Sequence, residues 1–301
     1  MERKLNLDIP EAITEFEEVM KEFQIVRILY KIIFRGKGLE FDSFRDFSAD
    51  DDAGDIDWKS STKANKLLVK QYIEERDLKI IFVIDVGDNM LFGSTEKLKC
   101  EYITELSTAL AHLILKHGDN IGFVLFNEGI LKNVEPAKSR WQFDMMVNDL
   151  SNPLTYGGKG ELGKTLDLLL DSLDNSINAV IIISDFLGIE KNISETLNLF
   201  SSKFETMAIM VRDPLDRTMP EVKEEIIIEN TITKEQLIIN PSLVRKRYEK
   251  NALEQENMVK KVFSYADIDL LELTTDQPFS PNLAGFLKGR IEKRKYITPT
   301  R

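Results

Sequence analysis

Residues 79–126 read KIIFVIDVGDNMLFGSTEKLKCEYITELSTALAHLILKHGDNIGFVLF. The opening run, Lys79 to Asp85, is apolar between polar ends, which predicts a strand buried on both faces. Residues 96–117 then carry Leu98, Ile103, Leu106, Leu110, Leu113 and Ile114 at helical spacing, and Gly118-Asp119 supplies the stop. Residues 121–126, IGFVLF, repeat the buried-strand pattern. Parallel strands need a crossover of about this length, so the stretch reads as a βαβ unit. Two further apolar runs, 178–184 (NAVIIIS) and 204–211 (FETMAIMV), alternate with helical patterns at 139–150, 162–173 and 192–202. The expected fold is α/β: a doubly wound, mostly parallel sheet with helices on both faces.

Outside that core the texture changes. Residues 9–23 place Ile13, Phe16, Val19, Met20 and Phe23 on one helical face, and 24–34 and 66–75 read as strands. Residues 35–63 crowd aspartates among Phe41, Phe44, Phe47 and Trp58, and read as an ordered loop pinned by its aromatics. An EF-hand is excluded there: counting from Asp50, Asp55 stands where the sixth-position glycine is required and Ser61 where the final glutamate is required. After Asp213-Pro214, a hairpin is expected from 225–229 and 236–239, then a charged helix at 241–263, a strand at 267–273 and a helix at 281–293. The organisation read from the chain is residues 1–78 packed on the core, an α/β core at 79–213, and a C-terminal extension at 214–301.

Composition excludes several functions. Lys and Arg number 40 against 51 Asp and Glu, a net charge of -11, which disfavours nucleic acid and anionic lipid. A single cysteine, Cys100, and two histidines exclude disulfides and Cys- or His-rich metal centres. His112 and His117 lie five residues apart, about 500° of helical rotation, and share no face. No apolar run reaches the length of about 20 residues that spans a bilayer, and no leader is visible, so a cytoplasmic protein with no membrane contact is expected. The basic cluster Arg245, Lys246, Arg247 and Lys250 lies among glutamates and reads as a solvated mixed-charge face.

In an open α/β sheet, ligands bind outside the carboxyl ends of the strands. Asp85 and Asp185 stand directly after buried strands, a placement suited to a divalent cation or a shared proton. The run Asp85-Val86-Gly87-Asp88-Asn89 resembles the metal-ion-dependent adhesion site of von Willebrand factor A-type domains. That site has Asp-x-Ser-x-Ser after one strand, a threonine in a later loop and an aspartate after a further strand. The segments GLEFDSFRDF (38–47), DIDWKSSTK (55–63) and LLVKQYIEERD (67–77), with INPSLVRKRYEK (239–250), resemble domain-of-unknown-function family number fifty-eight over about residues 28–292. Within that segment Trp58 is expected to be packed, and Asp57 hydrogen-bonded or ion-paired. The resemblance implies a von Willebrand A-like fold, no established enzymatic activity, and a protein partner: a MoxR-type AAA+ ATPase, in chaperone-like or assembly work.

The departures from the adhesion-site pattern define a degenerate site. Gly87 replaces the first serine and Asn89 the second. The loop Gly157-Gly158-Lys159-Gly160-Glu161-Leu162 has Lys159 or Gly160 where the threonine belongs. The candidate metal ligands are therefore Asp85, Asn89 and Asp185, holding Mg2+ or Mn2+ weakly or not at all. The Lys159 ammonium is expected near the two aspartates, and Gly87→Ser with Gly160→Thr is expected to create metal binding. Asp88, Lys159 and Gly160 are the candidate partner surface. One competing reading is a nucleotide-binding enzyme that uses Gly158 to Thr165, GKGELGKT, whose letters match a phosphate loop. Its context does not match, because no strand directly precedes it. A hydrolase built on Ser184 lacks the Gly-x-Ser-x-Gly elbow.

Overall fold

A computed structural model describes residues 4–22, 40–48, 56–73, 78–189, 193–229 and 235–295. The strands are β1 (Glu40–Asp46), β2 (Leu68–Ile73), β3 (Lys79–Asp85), β4 (Asn120–Phe126), β5 (Ile130–Ala137), β6 (Ala179–Ser184), β7 (Glu205–Arg212), β8 (Ile226–Glu229), β9 (Gln236–Ile239) and β10 (Asp269–Thr274). The helices are α1 (Ile9–Glu22), α2 (Trp58–Ala64), α3 (Lys99–Lys116), α4 (Arg140–Ser151), α5 (Leu162–Ser172), α6 (Ser194–Lys203), α7 (Pro241–Tyr265) and α8 (Phe279–Lys295).

The central sheet runs in the order β10-β7-β6-β3-β4-β5. All neighbours pair in parallel except β4 and β5, which are antiparallel. Alternation along β3 divides the core: Ile80, Phe82 and Ile84 enter one layer, and Ile81 and Val83 the other. The first layer holds α1, α3, α4 and α8, and the second α5, α6 and α7. Helix α3 is buried almost all round, more than its single apolar stripe predicts, because α1 and α4 pack on the faces the sheet leaves. Phe16 of α1 and Tyr102 of α3 both meet the Phe279 ring, at centroid distances of 6.1 and 5.9 Å. The N-terminal segment is tied down by α3 carboxylates: Asn6 N donates to Glu101 and Asp8 N to Glu105, at 2.6 and 2.8 Å.

Several expectations are corrected. Strand β5 has no apolar run; its residues alternate between half-buried and exposed, and Pro136 sits where an edge strand tolerates it. The stretch read as loop at 35–63 contains β1, paired antiparallel with β2, and α2. Asp57 does cap α2, accepting from Ser60 N at 2.8 Å, but Trp58 is 64% exposed rather than packed. The cap sets the helix so that Ser61 faces inward and bonds Leu68 N at 2.8 Å. The core boundary at 213 is also corrected: β10 is parallel to β7 and completes the sheet from the C-terminal segment. The strand expected at 24–34 and most of the acidic run at 49–55 lie outside the described residues. Hairpin β8–β9 forms as read.

Candidate functional site

The chain leaves β3 toward β4 on one side, and β6 lies on the other. The β3/β6 boundary is therefore the topological switch point, where a crevice opens at the carboxyl ends. Register places Ile84 beside Ile183, so Asp85 and Ser184-Asp185 emerge side by side. Ser184 Oγ donates to Asp85 Oδ2 at 2.6 Å, and Gly87 N donates to Asp85 Oδ1 at 2.8 Å. Leu187 N donates to Asp185 Oδ1 at 2.9 Å. The Lys99 ammonium, on the first turn of α3, donates to Asp185 Oδ2 at 2.7 Å and to Asp216 Oδ2 at 3.1 Å. A cleft of about 630 Å³ opens beside this cluster, lined in part by Asn89, Lys159, Leu162, Phe186 and Ile193.

The two loops that cap the strands are joined through their backbones. Asp88 N donates to Gly158 O at 2.7 Å, Gly158 N returns a bond to Asp88 Oδ2 at 3.1 Å, and Gly157 N donates to Val86 O at 2.9 Å. Gly160 lies directly on the Asp85 carboxylate: a Cβ there would stand 2.8 Å from Oδ2 and 2.9 Å from Oδ1. On the β6 side Phe186 holds φ at +52°, a strained value for a bulky residue, while its ring packs tilted against Phe263 of α7, centroids 4.8 Å apart. Gln255 of α7 donates to Phe186 O at 2.8 Å and accepts from Arg212 at 2.7 Å, linking the loop to the end of β7.

Burial, with the charge of Asp185 second, pushes the Asp85 carboxyl up to about 6 despite the bonds from Ser184 and Gly87. Burial alone would lower Lys99, but Asp185 and Asp216 outweigh it and hold its pKa above the ordinary lysine value. Burial raises Asp216 and lowers Arg212. Asp213 is fully buried and accepts from Ser94 N, Ser94 Oγ, Leu215 N and Thr275 Oγ1.

Asp85, Asn89, Asp185 and Gly160 are thus brought together, and Asp88 pins the loops. Lys159 is not part of the cluster: it is half-exposed and stands 3.8 Å from Glu161. The ammonium expected near the aspartates is Lys99. Its signal was a lysine in the first turn of a helix, where the macrodipole disfavours a cation. Asp216 was legible as the far end of Asp213-Pro214-Leu215-Asp216, an N-cap and proline pattern that opens the turn after β7.

The arrangement does not fit a divalent-cation site. The oxygens of Asp85 and Asp185 already accept from Ser184, Gly87, Leu187 and Lys99. Among the described residues no group of three or more His, Cys, Asp or Glu side chains is placed to hold a metal. The restoring pair Gly87→Ser and Gly160→Thr would crowd this corner: at 87 a Cβ would stand 3.0 Å from Gly160 N, and at 160 it would stand 2.8 Å from Asp85 Oδ2.

The phosphate-loop letters fold differently from a phosphate loop. The run follows a short turn at Pro153–Thr155, not a strand. Lys164 donates to Glu128 O at 2.7 Å, and Thr165 Oγ1 donates back to Glu161 O at 3.0 Å. No histidine approaches Ser184: His112 lies thirteen residues along α3 from Lys99, about 20 Å of helix, and pairs with Glu17 at 3.3 Å. Among the described residues no helix is long and apolar enough to cross a membrane.

The strand order, the antiparallel edge and the paired aspartates at the switch point define a von Willebrand factor A-like α/β domain. The chain belongs to the DUF58 family of proteins of unknown function, which matches residues 43–258. It is 25% identical over 259 residues to the uncharacterised protein Rv1480 of Mycobacterium tuberculosis, covering 85% of this chain and 80% of that protein. An uncharacterised protein of Mycobacterium avium is 27% identical over 136 residues, 44% of this chain and 78% of its own. Among solved structures, BatB of Bacteroides thetaiotaomicron aligns at a TM-score of 0.49 and 13% identity over 71% of this chain and 99% of its own. The SpRpn10 VWA domain aligns at 0.39 and 13% over 68% and 93%.

Proposed function

We propose that this chain is a non-catalytic protein-interaction module whose binding face is the carboxyl end of the sheet, and that its partner is a MoxR-type AAA+ ATPase in cytoplasmic assembly work. One observation carries the reading. The groups of catalytic type at the strand ends spend their hydrogen bonds on one another, while the rim is open to a partner. Leu154, three residues before Gly157, is 91% exposed, and the charged residues Asp88, Lys159 and Lys164 lie beyond it. An apolar tip within a mixed-charge rim is the composition of a protein-binding surface. The ATPase is the partner implied by the family resemblance.

The test is a calorimetric titration of the chain against the MoxR-type ATPase of the same organism. Leu154→Asp and Lys159→Glu should each weaken binding at least about tenfold, as a hot-spot contact does. Trp141→Ala, exposed at the opposite end of the sheet, should leave it unchanged. Equal affinity for all three variants would refute the assigned face, and no binding by the wild type would refute the partner.

A further inference from the structure

We infer that the Lys99 ammonium takes the place of the divalent cation at this strand-end site, so that the face is held in shape without metal. Lys99 lies in the first turn of α3, where the helix dipole opposes a positive charge, and its side chain is only 1% exposed. Neither condition suits a lysine unless something specific compensates. Here the compensation is two carboxylates from different loops: Asp185 after β6 at 2.7 Å and Asp216 after β7 at 3.1 Å. The Phe92 ring adds a third contact, its centroid 5.7 Å from Nζ.

A single cation that bridges carboxylates from separate strand ends does what a bound metal does. It offsets the repulsion between Asp185 and Asp216 and fixes their loops relative to one another, while Asp85 is held by Ser184 Oγ and Gly87 N. Three consequences agree with that assignment. Both Asp185 oxygens are engaged, Oδ2 by the ammonium and Oδ1 by Leu187 N. Of the three hydroxyls in the adhesion-site pattern, one is replaced by Gly87, one by Asn89 and one by Lys159 or Gly160, and a Cβ at Gly160 would stand 2.8 Å from Asp85 Oδ2. The Asp216 carboxylate, outside the adhesion-site pattern, is recruited by the lysine and also accepts from Asp213 N at 2.9 Å. The inference concerns how the face is held. It is read on the isolated chain, so its failure is distinct from failure of the proposed partner.

The experiment is thermal melting in chelator and in millimolar Mg2+, Mn2+ or Ca2+, with Mn2+ binding followed separately by the spin-resonance signal of the free ion. The wild type should melt at one temperature throughout and leave free Mn2+ undiminished, because only a species that prefers the folded state moves the midpoint. Lys99→Met should lower the midpoint by about 5–15 °C, the loss expected when one partner of a buried pair is removed. Lys99→Arg should recover most of that. Asp185→Asn should lower the wild-type midpoint but raise that of Lys99→Met, the non-additivity of a charge pair. A wild-type midpoint that rises with any of the ions, or loss of free Mn2+, would overturn the inference, and both are readable even if Lys99→Met does not fold. Simple additivity of Lys99→Met and Asp185→Asn, or an unchanged midpoint for Lys99→Met, would overturn it as well.

Discussion

Burial and the Asp185 charge push the Asp85 carboxyl up to about 6 in the folded chain, against 3.8 for the free side chain. Between those values the folded state binds more protons than the unfolded state, so this group's contribution to stability falls as pH rises through the window. Above about pH 6 both states are ionised and the full penalty remains, about 3 kcal/mol for a separation of that size. Asp85→Asn keeps an oxygen for Gly87 N and a polar contact for Ser184, and removes the charge. It should stabilise the chain by about 1–3 kcal/mol at pH 7.5 and by less at pH 5, measured by denaturant melts at both. A gap of equal size at the two pH values would mean that Asp85 ionises as freely in the folded chain as in solution. At this scale the sequence was half legible. The two aspartates follow from their position after buried runs, a local signal. Lys99 and Asp216 reach the cluster from 86 and 31 residues away from Asp185, and no local pattern carries that pairing.

Among the elements, α7 couples the site to the rest of the molecule. Gln255 bridges the guanidinium of Arg212 and the backbone of Phe186 and Leu187, where the chain is strained. Among the described residues Arg212 Nε has no hydrogen-bond partner, and that buried head group is supported by the bond to Gln255 and by the charges of Asp185, Asp216 and Glu256. Gln255→Ala should cost about 1–3 kcal/mol and speed amide hydrogen exchange at 186–188 more than in β3 or β4. Uniform acceleration across the sheet would show that α7 supports the fold in general and not this loop. The elements most legible in the sequence are those buried on both faces, β3, β4, β6 and β7, because an unbroken apolar run needs no context to interpret. Strand β5 and helix α2 were missed for the opposite reason. One is an edge strand exposed at alternate positions, Leu131, Asn133 and Glu135, and the other a seven-residue helix whose cap, Asp57, lay in a run of aspartates.

For the whole molecule, the sheet is continuous from β5 to β10, so the segment after residue 213 is a structural part of the α/β domain. Arg290 of α8 fastens that edge: it is 4% exposed and pairs with Glu205 at 2.6 Å and Asp269 at 3.1 Å. Its acidic partners lie on distant strands, so no local pattern in the sequence marks the pairing. With that edge closed, one end of the sheet carries the internally bonded carboxylates, the apolar-tipped rim and the loops joined by Asp88. This end is the proposed binding face, and hydrogen–deuterium exchange of the chain with and without the MoxR-type ATPase reads it out segment by segment. Slowed exchange is expected, confined to 87–92, 153–164 and 186–189. Protection at the β8–β9 hairpin or along α8, with those three segments unchanged, would contradict it.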